Sequence, residues 1–543
     1  MVDGTSLSPS TAYRFHPDRG WCSGPGGPGL PYGFDPMIYN TTPIYYPNDR
    51  PHLGTAYTTL VADAVARYWR LKGEQVFSLT GTDEHGLKIA RAAEERGMTP
   101  QEWVDSIVGR FHEAWDLLDI GYDDFIRTTD ERHVRSVQKL LGAIHAAGDI
   151  YEARYEGPYC VSCEAYYTED ELDDGSCPIH ERPVETHAED NYFFRLSAYG
   201  DRLLAHIAEH PHFVTPDARR NEVVSFIEQG LDDISISRAN LSWGVPLPWD
   251  DSHVAYVWSD ALINYISAAG FLDDPARFES QWPAWAHLVG KDIVRFHAVI
   301  WPAMLMSAGL PLPRQIATHG FLLVGGAKMS KSKANQILPD DLVPTFGPDG
   351  YRYHFLRDVS FGPDGNFSWE GMVARYNADL ANDYGNLVNR TLNLAERFRG
   401  GEVPAVAAEG AEEAPLRAAA AEALEALAGF GEFRTKQALE GVWLLVRAAN
   451  AFIESTEPWK LAKDEAHAAR LDEVLNAGLE ALRVLAILTW PAMPRAGETL
   501  WGRLGLEGSP GDGPLAETAV FGVFPAVTVT KGDPLFPRIE TDA

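Results

Sequence analysis

Two pairs of soft donors stand close together in this chain: Cys160-x2-Cys163 and, a short interval later, Cys177-x2-His180. Three thiolates and an imidazole on two tight turns match the ligand types and spacing of a tetrahedral zinc site. All four positions are filled, so the metal's role is structural, holding together a segment too small and polar to have much core. The rival reading, reduced thiols in a loop, leaves the paired spacing unexplained. A second cluster, His52-Leu53-Gly54-Thr55, lies between a strand-like run and a helical pattern. Backbone N–H groups at a helix start favour an anion. Glycine admits a nucleotide to the backbone, and His52 can donate to a phosphate oxygen as charge builds there. A histidine at a helix start also serves as a cap or a packed ring. The third cluster is Lys328-Met329-Ser330-Lys331-Ser332, after Gly325-Gly326 and before Lys333. Lysines on a glycine-flanked loop can close over a triphosphate and neutralise departing pyrophosphate. Its place far beyond His52, after the second half of the same expected sheet, favours that role over a solvated loop.

These clusters need elements to position them. Met37-Ile38-Tyr39 has strand character, and a turn around Pro47-Asn48-Asp49 leads to His52. Leu60, Val61, Ala64, Val65, Tyr68 and Trp69 then recur at helical spacing, with Gly73 as a stop. Gln75 to Leu79 predicts a second strand, ending at Thr80-Gly81-Thr82-Asp83-Glu84-His85-Gly86. Strands alternating with helices imply a parallel sheet whose ligands gather at the strand carboxyl ends, where both the His52 and Asp83 segments fall. Turn-rich sequence interrupts the alternation between about Tyr155 and Val245, and strands resume with Val254 to Trp258, His287 to Val289 and Gln315 to Phe321. After about Tyr376, Ala, Leu, Glu and Arg at helical spacing predict a helical bundle.

The expected organisation is therefore an α/β protein whose Rossmann-type parallel sheet is split by a zinc-knuckle insertion and followed by an α-helical bundle. Residues 1–36, rich in Gly, Pro and Ser, form a flexible extension, and the Gly24 to Gly29 run is no phosphate loop. The sheet's first half covers 37–154, the insertion 155–245 and the second half 246–322. The lysine loop and its surroundings take 323–375, and the helical domain 376–543. A formal charge of −31 argues against a protein that coats nucleic acid nonspecifically. RNA contact would have to come from clustered residues such as Arg390, Arg397 and Arg399. Nothing reads as a membrane span or a signal peptide, and four cysteines in 543 residues are no disulfide scaffold, so the expected location is cytoplasmic.

The His52 and Lys328 clusters resemble the HIGH and KMSKS signatures of class I aminoacyl-tRNA synthetases, and Met37 to about Trp490 resembles the methionyl-tRNA synthetase family. Pro43-Ile44-Tyr45-Tyr46, Thr82-Asp83-Glu84-His85-Gly86, Tyr256-Val257-Trp258-Ser259-Asp260-Ala261-Leu262, Gly290-Lys291-Asp292-Ile293, Asp383-Tyr384-Gly385-Asn386 and the zinc knuckle carry the match. The resemblance implies methionine–tRNA ligase activity: ATP and L-methionine form methionyl-adenylate, and the aminoacyl group passes to the 3′ end of methionine tRNA. Catalysis would fall to His52, Thr55, Lys328 and Lys331, with Mg2+ arriving on ATP. ATP would meet His52, Gly54, Gly290, Asp292 and Lys331. Asp83 would hold the ammonium group, as a buried ammonium needs a paired anion. The side-chain pocket would comprise Ile44, Tyr46, Trp258, Ala261, Leu262, Tyr265, Ile293 and His297, with Tyr265 or His297 offering the thioether a weak hydrogen bond. Singly, Ile44, Leu262 and Ile293 read equally as core. Asn386, Arg390 and Trp459 would read the anticodon, making the helical bundle an anticodon-binding domain. One structural zinc and a monomeric chain complete the expectation.

Two residues depart from the family pattern. Thr55 replaces the second histidine of the HIGH element and brings no positive charge, and Ser259 stands where a bulky apolar residue usually follows the pocket tryptophan. Two rivals follow: an adenylate-forming synthetase paralogue that hands its aminoacyl group to a small-molecule nucleophile in specialised metabolism, and a tRNA-binding protein without catalysis. The lysine loop and Asp83 speak against the second rival; Asn386, Arg390 and Trp459 speak against the first.

Overall fold

The computed structural model describes residues 37–540 apart from 161–164, 167–171, 179–181, 240, 326, 329–336 and 407–409, with the backbone of 14–16 and 20–22. Those two short segments pair as an antiparallel hairpin, and the rest of the extension expected to be flexible lies outside the described residues. Strand β1 (Ile38–Thr41) leads through helix α1 (Leu53–Leu71) to β2 (Val76–Thr82), and a further helical crossover reaches β3 (Asp124–Arg127). Leu60, Val61, Ala64, Val65 and Tyr68 are buried as their spacing predicts, and Gly73 ends the helix at φ 87°.

A long hairpin follows: β4 (Ile150–Cys160) pairs antiparallel with β5 (Glu185–Phe194) from Ile150↔Phe194 to Tyr159↔Glu185. The chain then returns to the main sheet through β6 (Val214–Thr215), inside the stretch expected as insertion, and continues with β7 (Ala286–Gly290) and β8 (Ile316–His319). The six-stranded sheet has order β3–β2–β1–β7–β8–β6 and is parallel throughout. The chain runs one way from β1 and the other way from β7, so the topological switch point lies between their carboxyl ends, where such sheets bind ligands.

The expected strand over Val254 to Trp258 is not part of this sheet. Asp250–Ala255 belongs to a small antiparallel sheet with Ser237–Arg238 and Pro246–Leu247, and Val257–Ala261 is helical. Only Pro248 and Trp249 separate Leu247 from Asp250, enough for a hairpin but far short of a parallel crossover.

Beyond β8, a helix kinked at Gly347, α2 (Pro339–Asp358), leads into a bundle that includes α3 (Asn386–Arg399), α4 (Thr435–Thr456) and α5 (Ala468–Thr489). The tail returns, with Val527–Thr528 pairing to Glu402–Val403 and Phe536 packed near Tyr376 and Tyr384. One apolar cluster runs without a break from α1 through α2 into the bundle; a second fills the opposite face of the sheet. Arg352 crosses the first. It is fully buried and donates to Asp63 Oδ2 at 2.6 Å and to the carbonyls of Leu118, Asp119, Pro491 and Ala492. Burial would raise the Asp63 pKa, but Arg67 and Arg352 hold it below the usual range. No described helix is long and apolar enough to cross a membrane.

Candidate functional site

At the switch point the chain leaves β1 and runs beside the end of β2. Tyr45 N–H donates to Gly81 O at 3.0 Å and Asp83 N–H to Tyr45 O at 2.9 Å, placing Ile44 and Tyr46 on either side of the residue that contacts the Asp83 backbone. Asp83 is 5% exposed. Its neighbour Glu84, fully buried, accepts from Thr82, Arg127 and Thr129 side chains, while Trp243 Nε1–H donates to its carbonyl. Glu84 was not anticipated, because Arg127, Thr129 and Trp243 are all distant from it in sequence.

His52 caps α1, with its Nδ1 accepting from Gly54 N–H at 3.0 Å and Thr55 N–H at 3.4 Å. The cap and phosphate readings are compatible: an accepting Nδ1 leaves the neutral ring's proton on Nε2. Gly54 is tight, since a Cβ there would lie 3.0 Å from His52 Cε1. Thr55, in the first turn of the helix, is half-buried, and its carbonyl accepts from Thr59. Lys328 lies on the short strand Ala327–Lys328 beside Leu323–Val324, while Lys331 lies outside the described residues. The chain re-emerges at Ile337, whose carbonyl accepts from Leu53 N–H at 3.1 Å. The exit of the lysine loop is thus bonded next to His52, which stands far earlier in the chain.

On the other side of the crevice, a Cβ on Gly290 would lie 2.7 Å from Asp292 Oδ1, so a larger residue there would displace that exposed carboxylate. His319, at the end of β8, was not anticipated; its Nε2 lies 2.7 Å from Thr58 Oγ1 on α1.

The residues expected from the resemblance to form the side-chain pocket make a set of pairwise contacts. Trp258 stacks on Phe296 at 3.8 Å between centroids, 14° from parallel, a contact the sequence did not signal. Ile44, Tyr46 and Ile293 are half-buried, whereas Leu262 is 1% exposed and belongs to the core beneath. Tyr265 Oη is 2.7 Å from His297 Nε2, and His297 Nδ1 is 2.9 Å from Ile293 O. Burial holds His297 down at about 4, so the ring is neutral near pH 7. Its single N–H goes to the Ile293 carbonyl and Tyr265 O–H goes to Nε2. Both protons expected for a thioether are therefore already taken, and donation would require Tyr265 to release His297. His287, on β7, stacks beneath Tyr265 at 4.0 Å and meets Thr41 Oγ1 at 2.7 Å, tying the floor to both central strands.

In the helical bundle, Arg390 pairs with Glu454 at 2.6 Å and lies 5.2 Å over the Trp459 ring; Asn386 is exposed one turn earlier on α3. Glu457, at φ 44°, turns the chain into Pro458-Trp459. Arg399 does not join them, because its guanidinium is committed to Asp472 and the carbonyls of Phe398 and Ala468. Of the proposed metal ligands, Cys160 and Cys177 are both buried, and Cys177 N–H donates to Arg182 O at 2.8 Å. Cys163 and His180 lie outside the described residues.

The family model described as tRNA synthetases class I (M) matches residues 38–184 and 169–392, and that of the anticodon binding domain of methionyl tRNA ligase matches 403–543. The chain is 51% identical to a methionine–tRNA ligase of Streptomyces coelicolor over 92% of this chain and 96% of that one. It is 47% identical to one from Caldanaerobacter subterraneus, over 93% and 79%. Among solved structures, Mycobacterium tuberculosis methionyl-tRNA synthetase in complex with methionyl-adenylate is 43% identical, with a TM-score of 0.89 over 93% of this chain and all of that one.

Proposed function

Because this chain belongs to the methionyl-tRNA synthetase family of class I, we propose that the crevice between β1 and β7 is where it carries out the family's reaction, ATP-dependent ligation of methionine to tRNA. The observation that carries this placement is the Leu53–Ile337 hydrogen bond, which joins the start of the His52 helix to the exit of the lysine loop at the carboxyl edge of the sheet.

Methionine's carboxylate is already an anion, so its attack on the α-phosphate needs no strong general base. Positioning and charge stabilisation supply the rate. His52 Nε2–H donates to a phosphate oxygen, the start of α1 adds its dipole, and Thr55 offers a hydroxyl. Lys328 and Lys331 close over the β- and γ-phosphates. Magnesium brought by ATP would supply further charge neutralisation there. Gly290 and Asp292 receive the adenosine. Asp83 pairs with the ammonium group. Trp258, Phe296, Ala261, Tyr265 and His297 enclose the side chain, with Ile44, Tyr46 and Ile293 at its rim and Leu262 supporting it from the core. A polarizable thioether gains most from such an aromatic enclosure.

Asn386, Arg390 and Trp459 meet the anticodon. A half-exposed indole held under a guanidinium is a ready stacking platform for a base. We assign one structural zinc to Cys160, Cys163, Cys177 and His180. Two buried thiols fit a soft cation, which would supply folding energy to the end of the β4–β5 hairpin. Both halves of the site come from one chain, which supports a monomer. Charging tRNA for protein synthesis supports a cytoplasmic location. The anticodon-domain match leaves the small-molecule paralogue without support.

ATP–pyrophosphate exchange on the purified protein across the standard amino acids, followed by acylation of tRNA, tests the reading. Strong exchange with methionine and charging of methionine tRNA are expected. Exchange without charging, or with another amino acid, would overturn it.

A further inference from the structure

Asp260 is a fully buried carboxylate with a histidine on each oxygen. His85 Nδ1 lies 2.6 Å from Oδ2 and His133 Nε2 lies 2.8 Å from Oδ1. Burial favours protonation, but the two imidazoles prevail and hold the carboxyl at about 2. An ionised carboxylate only accepts, so both histidines donate to it and their ring orientations are set. The three residues come from three elements. His85 follows Asp83 and Glu84 in the loop that closes β2. His133 is in the first turn of the Glu131–Ala146 helix and is 0% exposed; its Nδ1 lies 3.2 Å from Ser267 Oγ. Asp260 shares one short helix with Trp258 and Ala261. The His85 ring also meets Trp243 edge-on at 5.3 Å, and Trp243 donates to the carbonyl of Glu84.

We propose that Asp260 is a positioning residue for the amino-acid half of the substrate, clamping the loop that carries the ammonium-binding Asp83 to the helix that carries the Trp258–Ala261 wall. This rests on the assignment of Asp83 and Trp258 to the methionine site. The two contacts made by methionine, charge at one end and apolar enclosure at the other, come from segments far apart in sequence. A shared buried anion sets their separation. Among the described residues the side chains of the clamp bond to neither the His52 helix nor Gly290, so ATP binding is independent of it.

Asp260→Asn keeps the shape but removes the charge and turns one acceptor into a donor facing an N–H. It should raise the methionine KM in pyrophosphate exchange about tenfold or more, with the ATP KM within about twofold, as expected when only one substrate's binding is lost. His133→Gln with Asp260 intact, which retains an N–H donor to the carboxylate, should keep the methionine KM close to that of the unaltered protein. A purely structural role would instead lower thermal stability and change both KM values together, overturning the proposal. Asp83→Asn is the control. If it raises the methionine KM and Asp260→Asn does not, the clamp alone is wrong. If Asp83→Asn has no effect, the assignment of the amino-acid site fails and the clamp with it. Should Asp260→Asn not fold, His85→Ala, which removes the donor to Asp260, carries the same test, with the same split expected and an unchanged methionine KM counting against the clamp.

Discussion

The crevice at the switch point and the tip of the helical domain are built differently. In the crevice, Asp83, His85, Asp260, Tyr265 and His297 are at most 5% exposed, and almost every polar group named there is braced by a partner from another element. At the tip, Arg390 is 27% exposed and its partner Glu454 70%, and Asn386 is open to water. A site that stabilises charge gains from dipoles fixed before the reaction, since no reorganisation is then required. A surface that receives a single-stranded loop benefits from weak internal contacts that can be exchanged for base contacts. An exposed ion pair, worth about 0–1 kcal/mol, serves that purpose. The proposed catalytic end is thus preformed, and the proposed anticodon end is held by a replaceable contact.

The largest expected effect comes from cutting the joint between the two regions. Arg352→Met removes one of Asp63's two guanidinium partners, leaving Arg67, and strips the carbonyls of Leu118, Asp119, Pro491 and Ala492 of this donor, and should destabilise the protein by about 3–5 kcal/mol, read as a fall in the urea midpoint. An unchanged midpoint would mean the regions are stabilised separately. Next, His52→Ala removes a phosphate donor from the preformed end. Turnover in pyrophosphate exchange should fall about 100-fold or more while methionine KM changes little, as for a contact made chiefly in the transition state. Equal losses in binding would place His52 as a cap alone. Trp459→Ala should lower kcat/KM for tRNA charging by about 10- to 100-fold, the worth of one stacked base, with pyrophosphate exchange unchanged. If both activities fall, Trp459 is part of the core. Glu454→Gln is the smallest: a change in charging within about threefold, toward faster charging at low salt as Arg390 is released. A large loss would show that the tip is as preorganised as the crevice.

The parallel sheet was legible because strand and helix periodicities alternate cleanly from Met37 to Gly81 and again from His287 to His319. The Val254–Trp258 run misled because an apolar stretch has the same pattern in a small antiparallel sheet as in a buried parallel strand; only its pairing with Ser237–Arg238 and Pro246–Leu247 distinguishes them. Phe296 escaped notice as one more apolar residue before a buried helix, and Glu84, Asp260 and His133 because each acts through residues distant in sequence. Arg399, read as one of three clustered arginines, proved committed to Asp472 once the helices were packed.

Local chemistry, then, is what the sequence determined by itself: a histidine and glycine at a helix start, lysines on a glycine-flanked loop, paired soft ligands, and a family likeness spread across independent segments. Those depend on residue type and short spacing, which the chain carries wherever it folds. The tertiary structure alone decided which proton each group keeps. Nδ1 of His52 accepts within its own helix turn, His297 gives its proton to a carbonyl and receives that of Tyr265, and Asp260 remains an anion between two imidazoles. The last two arrangements need partners brought together from distant elements, and all three depend on the folded backbone and its exclusion of water, which no stretch of sequence can express alone.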